Sequence, residues 1–121
     1  RVEKKPVLHT CKGYLKKSGS FGWTLKWVQV QDHKLLYHEP KSQNKVQGCI
    51  DFRLVSATLQ AQMQGDTVTS STFRICIKES QKVFTFKAKT NQEAQTWIKI
   101  IKQHIELTPK QVYPKKMIIN P

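Results

Sequence analysis

The periodicity of the chain changes once. From residue 11 to about residue 89 apolar and polar residues tend to alternate; from Ala94 onward the apolar residues recur every three or four positions. Alternation sends successive side chains to opposite faces of a strand, whereas the wider spacing gathers them on one side of a helix. In the clearest strand Phe73, Ile75 and Ile77 share one face, and Arg74, Cys76 and Lys78 the other. Ala94, Trp97, Ile98, Ile101 and Ile105 make one stripe on a helix predicted over Asn91–Glu106, with Lys99, Lys102 and Gln103 away from it. Thr90 followed by Glu93 suits a capping box at the helix start, and Pro109 marks its end. A chain that is β first and helical only at its end uses that helix to cover what the strands leave open.

Seven strands are predicted, over residues 11–18, 23–31, 34–38, 47–51, 56–62, 72–78 and 83–89. A turn with Gly19 and Gly22 joins the first two, Asp32–His33 joins the second to the third, and Glu79–Ser80–Gln81 joins the last two as a hairpin. The polar stretches 39–45, with Pro40, and 62–71, with Gly65–Asp66, read as loops. The expected fold is mainly β: a seven-stranded curled antiparallel barrel or sandwich capped by one C-terminal α-helix. The 121 residues suffice for one such domain, placed at residues 10–107. An N-terminal extension (1–9) and a basic, proline-containing tail (108–121) flank it. With Arg1 in place of an initiator Met, the chain is expected to be part of a longer protein. The tail is expected to be extended or disordered, with Val112, Tyr113, Met117, Ile118 and Ile119 available to dock elsewhere.

Charge narrows the function. Twenty-one Lys and Arg oppose eight Asp and Glu, a net charge of +13 that attracts anionic lipid, nucleic acid or an acidic protein. No segment approaches the roughly 20 apolar residues that span a bilayer. Cys11, Cys49 and Cys76 are far apart and odd in number, without the paired spacing of a zinc site or a disulfide framework. His9, His33, His38 and His104 are scattered, and no carboxylate pair is present for acid–base or metal chemistry. The glycines of the first turn lack the Gly-Lys-Ser/Thr ending of a phosphate-binding loop. No catalytic residue, metal ligand or cofactor site is assigned, and the chain is not expected to be an enzyme.

Several stretches, taken in order, resemble the pleckstrin-homology (PH) family. Lys12-Gly13-Tyr14-Leu15-Lys16-Lys17 is similar to its first strand, Trp23-Thr24-Leu25-Lys26-Trp27-Val28 to its second, Leu35-Leu36-Tyr37 to its third and Gly48-Cys49-Ile50-Asp51 to its fourth. Phe84-Thr85-Phe86-Lys87-Ala88, followed by Glu93-Ala94-Gln95-Thr96-Trp97-Ile98, resembles the last strand and the helix with its characteristic Trp. The resemblance covers residues 10–106. It implies a phosphoinositide-contacting pattern across the first hairpin, in which Lys17 matches the first basic position, Lys26 the last, and Tyr37 a phosphate-contacting tyrosine. Thr24 falls where a second basic residue is usual, and Lys26 where Arg is commoner. A Lys is a point charge without the fork of a guanidinium, so modest headgroup selectivity is expected.

Alternation sends Leu15 and Lys17 to one face of their strand, and Thr24, Lys26 and Val28 to one face of theirs. The two lysines are therefore expected to meet at the uncovered rim, with Lys16 and Lys45 joining Thr24 and Tyr37 around an anion. Lys12, Lys34 and Lys41 are expected to add a general field near the same mouth. Phe21, with Ser20 beside it at the turn tip, is expected to contact the membrane interface. The implied partner is anionic membrane lipid, phosphoinositide in particular, bound by a cytoplasmic, peripheral membrane module of a signalling or trafficking protein. The alternative is a protein-interaction module using the helix face with Lys99 and Lys102, or the tail. Nucleic-acid binding suits the basic charge and the strand aromatics, but Trp97 and the isoleucine stripe belong to the core.

Overall fold

Two tight hairpins set the course of the chain. In the computed structural model, which describes residues 8–42 and 44–107, β1 (Cys11–Gly19) turns through Ser20 and Phe21 into β2 (Gly22–Gln31). Gly22 supplies the left-handed backbone there, at φ +100°. Asp32 and His33, at φ 52° and 59°, then lead into β3 (Lys34–His38). Two consecutive left-handed residues give a turn whose twist matches that of the strands it joins. β4 (Val46–Asp51), β5 (Ala57–Gln64), β6 (Thr67–Ile77), β7 (Val83–Lys87) and α1 (Asn91–Glu106) follow.

The seven strands form one curled antiparallel sheet in the order β4-β3-β2-β1-β7-β6-β5. Its inner face buries Leu15, Val28, Val30, Leu35, Phe73, Ile75 and Phe86. The helix covers one opening with Ala94, Trp97, Ile98 and Ile101, all buried. Thr90 caps it by accepting the Glu93 N–H at 3.1 Å. Ile105 is half-buried at the edge of the stripe, and the fully buried residue of the last turn is His104. Residues 1–7 and the tail from 108 lie outside the described residues, so the tail's expected docking does too.

One expected loop is corrected by the structure. Residues 62–71 are not a loop: β5 runs on to Gln64 and β6 starts at Thr67, joined by a tight turn at Gly65–Asp66. Gly65 has φ +62°, and Met63 pairs with Val68 after a register shift at Ala61/Met63. β5 lies at the sheet edge, so polar Gln, Thr and Ser side chains can face water while their backbones pair.

His104 fastens the end of the fold away from the β1–β2 turn. Its Nδ1 accepts the His33 N–H at 3.0 Å, and its Nε2–H donates to the His9 carbonyl at 2.6 Å. The neighbouring Gln103 Oε1 accepts the His9 N–H at 2.8 Å. One imidazole with no exposed surface thereby joins the entering chain, the β2–β3 turn and the last turn of the helix.

Candidate functional site at the open rim

Strand direction places the β1–β2 turn, the β3–β4 loop and the β6–β7 turn at one end of the sheet. Register decides which side chains look inward there. Residues directly opposite one another in an antiparallel pair project to the same side. Lys17 faces Thr24 and Phe86, and Leu15 faces Lys26, so Lys17, Thr24 and Lys26 share the inner face with the core. Tyr37 faces Val28 on one side and Gly48 on the other and belongs to the same face.

The two lysines have different surroundings. The Lys17 ammonium lies over the Tyr37 ring, 5.2 Å from its centre, and 5.7 Å from the centre of the Phe84 ring. The negative ring faces hold the cation without neutralising it. Lys26 is only 8% exposed and its ammonium is 3.0 Å from Glu39 Oε1, to which Gln47 also donates at 3.1 Å. Lys26, through its hydrogen bond and then its charge, holds the Glu39 carboxyl below its ordinary range, and Gln47 adds to the effect. Burial pushes the Tyr37 phenol up, so it keeps its proton at neutral pH and remains a donor.

The other expected site residues divide by place. Thr24 is exposed at the rim, its hydroxyl 3.4 Å from the Lys17 carbonyl. Lys45 is exposed in the β3–β4 loop, where its carbonyl lies 3.1 Å from His38 Nδ1. Phe21 is fully exposed at the turn tip, with Ser20 exposed beside it. Lys16 lies on the outer face, opposite Leu25 and Lys87 and away from the pocket. Lys12 and Lys34 sit at the other end of their strands, so of the expected surrounding field only Lys41 and Lys45 reach the rim.

Sequence reasoning missed several rim residues. Lys78 and Lys82 come to this end through the β6–β7 turn and are exposed. Glu39 continues the register in which Trp27 faces His38, which sets it beside Lys26. Gly48 carries the Tyr37 ring so closely that a Cβ there would coincide with ring atoms. A glycine inside a strand is a signal of such an approach. No trio of His, Cys, Asp and Glu suited to a metal ion occurs among the described residues.

A curled seven-stranded sheet plugged by a C-terminal helix, with a basic and aromatic rim left open, defines a helix-capped β module of the pleckstrin-homology type. The chain belongs to the PH domain family, whose model matches residues 9–106. Among curated proteins it is 27% identical to the mouse "Dual adapter for phosphotyrosine and 3-phosphotyrosine and 3-phosphoinositide" over 92% of this chain and 39% of that protein. It is 23% identical to a PH and Rap-GAP domain-containing protein of Dictyostelium discoideum over 74% of this chain and 7% of that one. The chain thus spans well under half of either relative. Among solved structures, the PH domain of human oxysterol-binding protein-related protein 11 superposes with a TM-score of 0.62 at 20% identity, covering 86% of this chain and 89% of that one. The C-terminal PH domain of pleckstrin, solved with D-myo-Ins(1,2,3,5,6)P5, gives 0.63 at 20% identity, covering 78% and 93%. No helix among the described residues is long and apolar enough to cross a membrane.

Proposed function

We propose that this domain recruits its parent protein to the cytoplasmic face of an anionic membrane by binding phospholipid headgroups, phosphoinositides above all, at the open rim. The observation that carries the reading is the Lys17 ammonium held over Tyr37 and Phe84 on the face it shares with Lys26. Lys41 and Lys45 of the β3–β4 loop and Lys78 and Lys82 of the β6–β7 turn are exposed at the same end of the sheet, and each lysine near an anionic leaflet contributes about 1 kcal/mol. Phe21, fully exposed at the tip of the β1–β2 turn, would enter the headgroup layer. The ligand names carried by the mouse adapter and the pleckstrin complex agree with this chemistry. The module acts by binding, without catalysis, and leaves the membrane when the charge attraction is screened.

Pelleting with vesicles of graded phosphoinositide content tests the reading. Binding that rises with phosphoinositide and falls in Lys17→Ala supports it. Equal, negligible pelleting on neutral and anionic vesicles at moderate salt overturns it.

A protein-binding role on the same fold is favoured by a separate observation. Tyr14, Trp23 and Leu25 are exposed on the outer face of the first hairpin, beside Lys16 and Lys87. Lys87 lies over the Trp23 ring at 5.7 Å. Retained membrane binding with loss of a protein partner in Leu25→Ser would assign that face to a protein.

A further inference from the structure

The rim contains an anion of its own. Glu39 follows β3 directly, and its Oε1 takes donors from Lys26 at 3.0 Å and from Gln47 at 3.1 Å. Its side chain is 54% exposed while that of Lys26 is 10% exposed, so the acid reaches the lysine from the solvent side. An anion that binds the Lys26 ammonium has to share it with Glu39 or displace that carboxylate. Among the described residues the other acid at this end of the sheet, Glu79, is engaged elsewhere, accepting the N–H and the hydroxyl of Ser56 at 2.8 Å each.

We propose that Glu39 is a built-in counter-anion that competes with the headgroup for Lys26 and thereby sets which lipids the rim accepts. The inference rests on the membrane-binding reading above and adds a selectivity device to it. A ligand with one negative charge that takes Lys26 from Glu39 exchanges one ion pair for another and gains little. A headgroup carrying several phosphates brings more charge and more acceptor oxygens than the carboxylate it displaces, and gains from the exchange. Glu39 therefore discriminates against monoanionic lipid such as phosphatidylserine and lets multiply phosphorylated inositol lipid through.

Glu39→Gln keeps the shape and an acceptor oxygen for Lys26 while removing the charge. Glu106→Gln, on the exposed helix end, removes the same charge far from the rim. Both are compared with the unchanged chain on phosphatidylcholine vesicles doped with phosphatidylserine or with phosphatidylinositol bisphosphate. Glu39→Gln is expected to tighten phosphatidylserine binding about fivefold, the effect of one freed lysine, and to narrow the preference for the bisphosphate. Glu106→Gln is expected to change either by less than about twofold. In parallel, the Glu39 carboxyl is followed by carbon NMR against pH; saturating inositol hexakisphosphate is expected to move its midpoint up toward the ordinary range as Lys26 leaves it. Equal effects of the two substitutions, or an unmoved Glu39 midpoint with the ligand bound, overturn the role of Glu39 alone. Background pelleting of every form on both vesicle types overturns the membrane-binding reading and this inference with it. Pelleting of Glu39→Gln alone, with the unchanged chain at background on the bisphosphate vesicles, overturns the membrane-binding reading for this chain and the claim that Glu39 lets multiply phosphorylated lipid through.

Discussion

The ring of Tyr37 rests on Gly48, the residue directly opposite it on β4, with no room for a Cβ between them. That contact fixes the ring beneath the Lys17 ammonium. Gly48→Ala forces the ring aside, and strain of this kind costs about 1–3 kcal/mol. Denaturant unfolding is expected to show that loss, and the Lys17 and Tyr37 resonances to shift together. An unchanged midpoint would show that the ring yields freely.

Lys17 and Lys16 are sequence neighbours on opposite faces of β1. Lys17→Ala is expected to weaken binding to phosphoinositide vesicles about fivefold or more, the effect of losing one well-placed charge. Lys16→Ala is expected to weaken it less, through the overall field only. Equal losses measured at the same ionic strength would point to a diffuse charge effect without a pocket.

Phe21 is fully exposed at the tip of the first hairpin, so nothing in the fold depends on its ring. Phe21→Ser is expected to leave stability within about 0.5 kcal/mol. The same substitution is expected to lower vesicle binding while leaving soluble inositol phosphate binding unchanged, which separates insertion from headgroup contact.

Besides Glu39, which Lys26 holds low, two carboxylates predict the acid limb of stability. Arg53, mainly through its hydrogen bonds, holds the Asp51 carboxyl low, and the Ser56 N–H and hydroxyl hold Glu79 low. A group whose value is lower folded than unfolded stabilises the fold above its unfolded value. That stability is lost as pH falls through the folded value. The urea midpoint is therefore expected to hold at neutral pH and to fall below about pH 4. Asp51→Asn combined with Glu79→Gln is expected to flatten that limb; an unchanged slope would exclude these two groups as its source.

His104 has no exposed surface and both ring nitrogens engaged. His104→Ala is expected to destabilise by about 3 kcal/mol or more, adding a cavity to the stranded His33 N–H and His9 carbonyl. A change under about 1 kcal/mol would show that the fastening contributes little.

Legibility in the sequence followed periodicity. The alternation of Phe73, Ile75 and Ile77 and the stripe of Ala94, Trp97, Ile98 and Ile101 gave the last strands and the helix, because each pattern reflects one buried face. The 62–71 hairpin was hidden because an edge strand can pair its backbone with few apolar side chains. Counting along each strand sets Lys17 on the face of Leu15 and Lys26 on the face of Thr24 and Val28, while Tyr37 is reached through the family resemblance. Glu39 could not be matched to Lys26 without the pairing of those strands, since register is a tertiary property. His104 reads as one more polar helix residue until His9 and His33, distant in sequence, arrive to bond it.

The joining of residue 9 to residues 103 and 104 also has a mechanical meaning. Residue 9 and residues 103 and 104 meet at one pole, and the mouth lies at the opposite pole, roughly the length of β2 away. A pull applied between residue 9 and residue 104 would load the hydrogen bonds that join them directly, at the end of the fold opposite the hairpin tip.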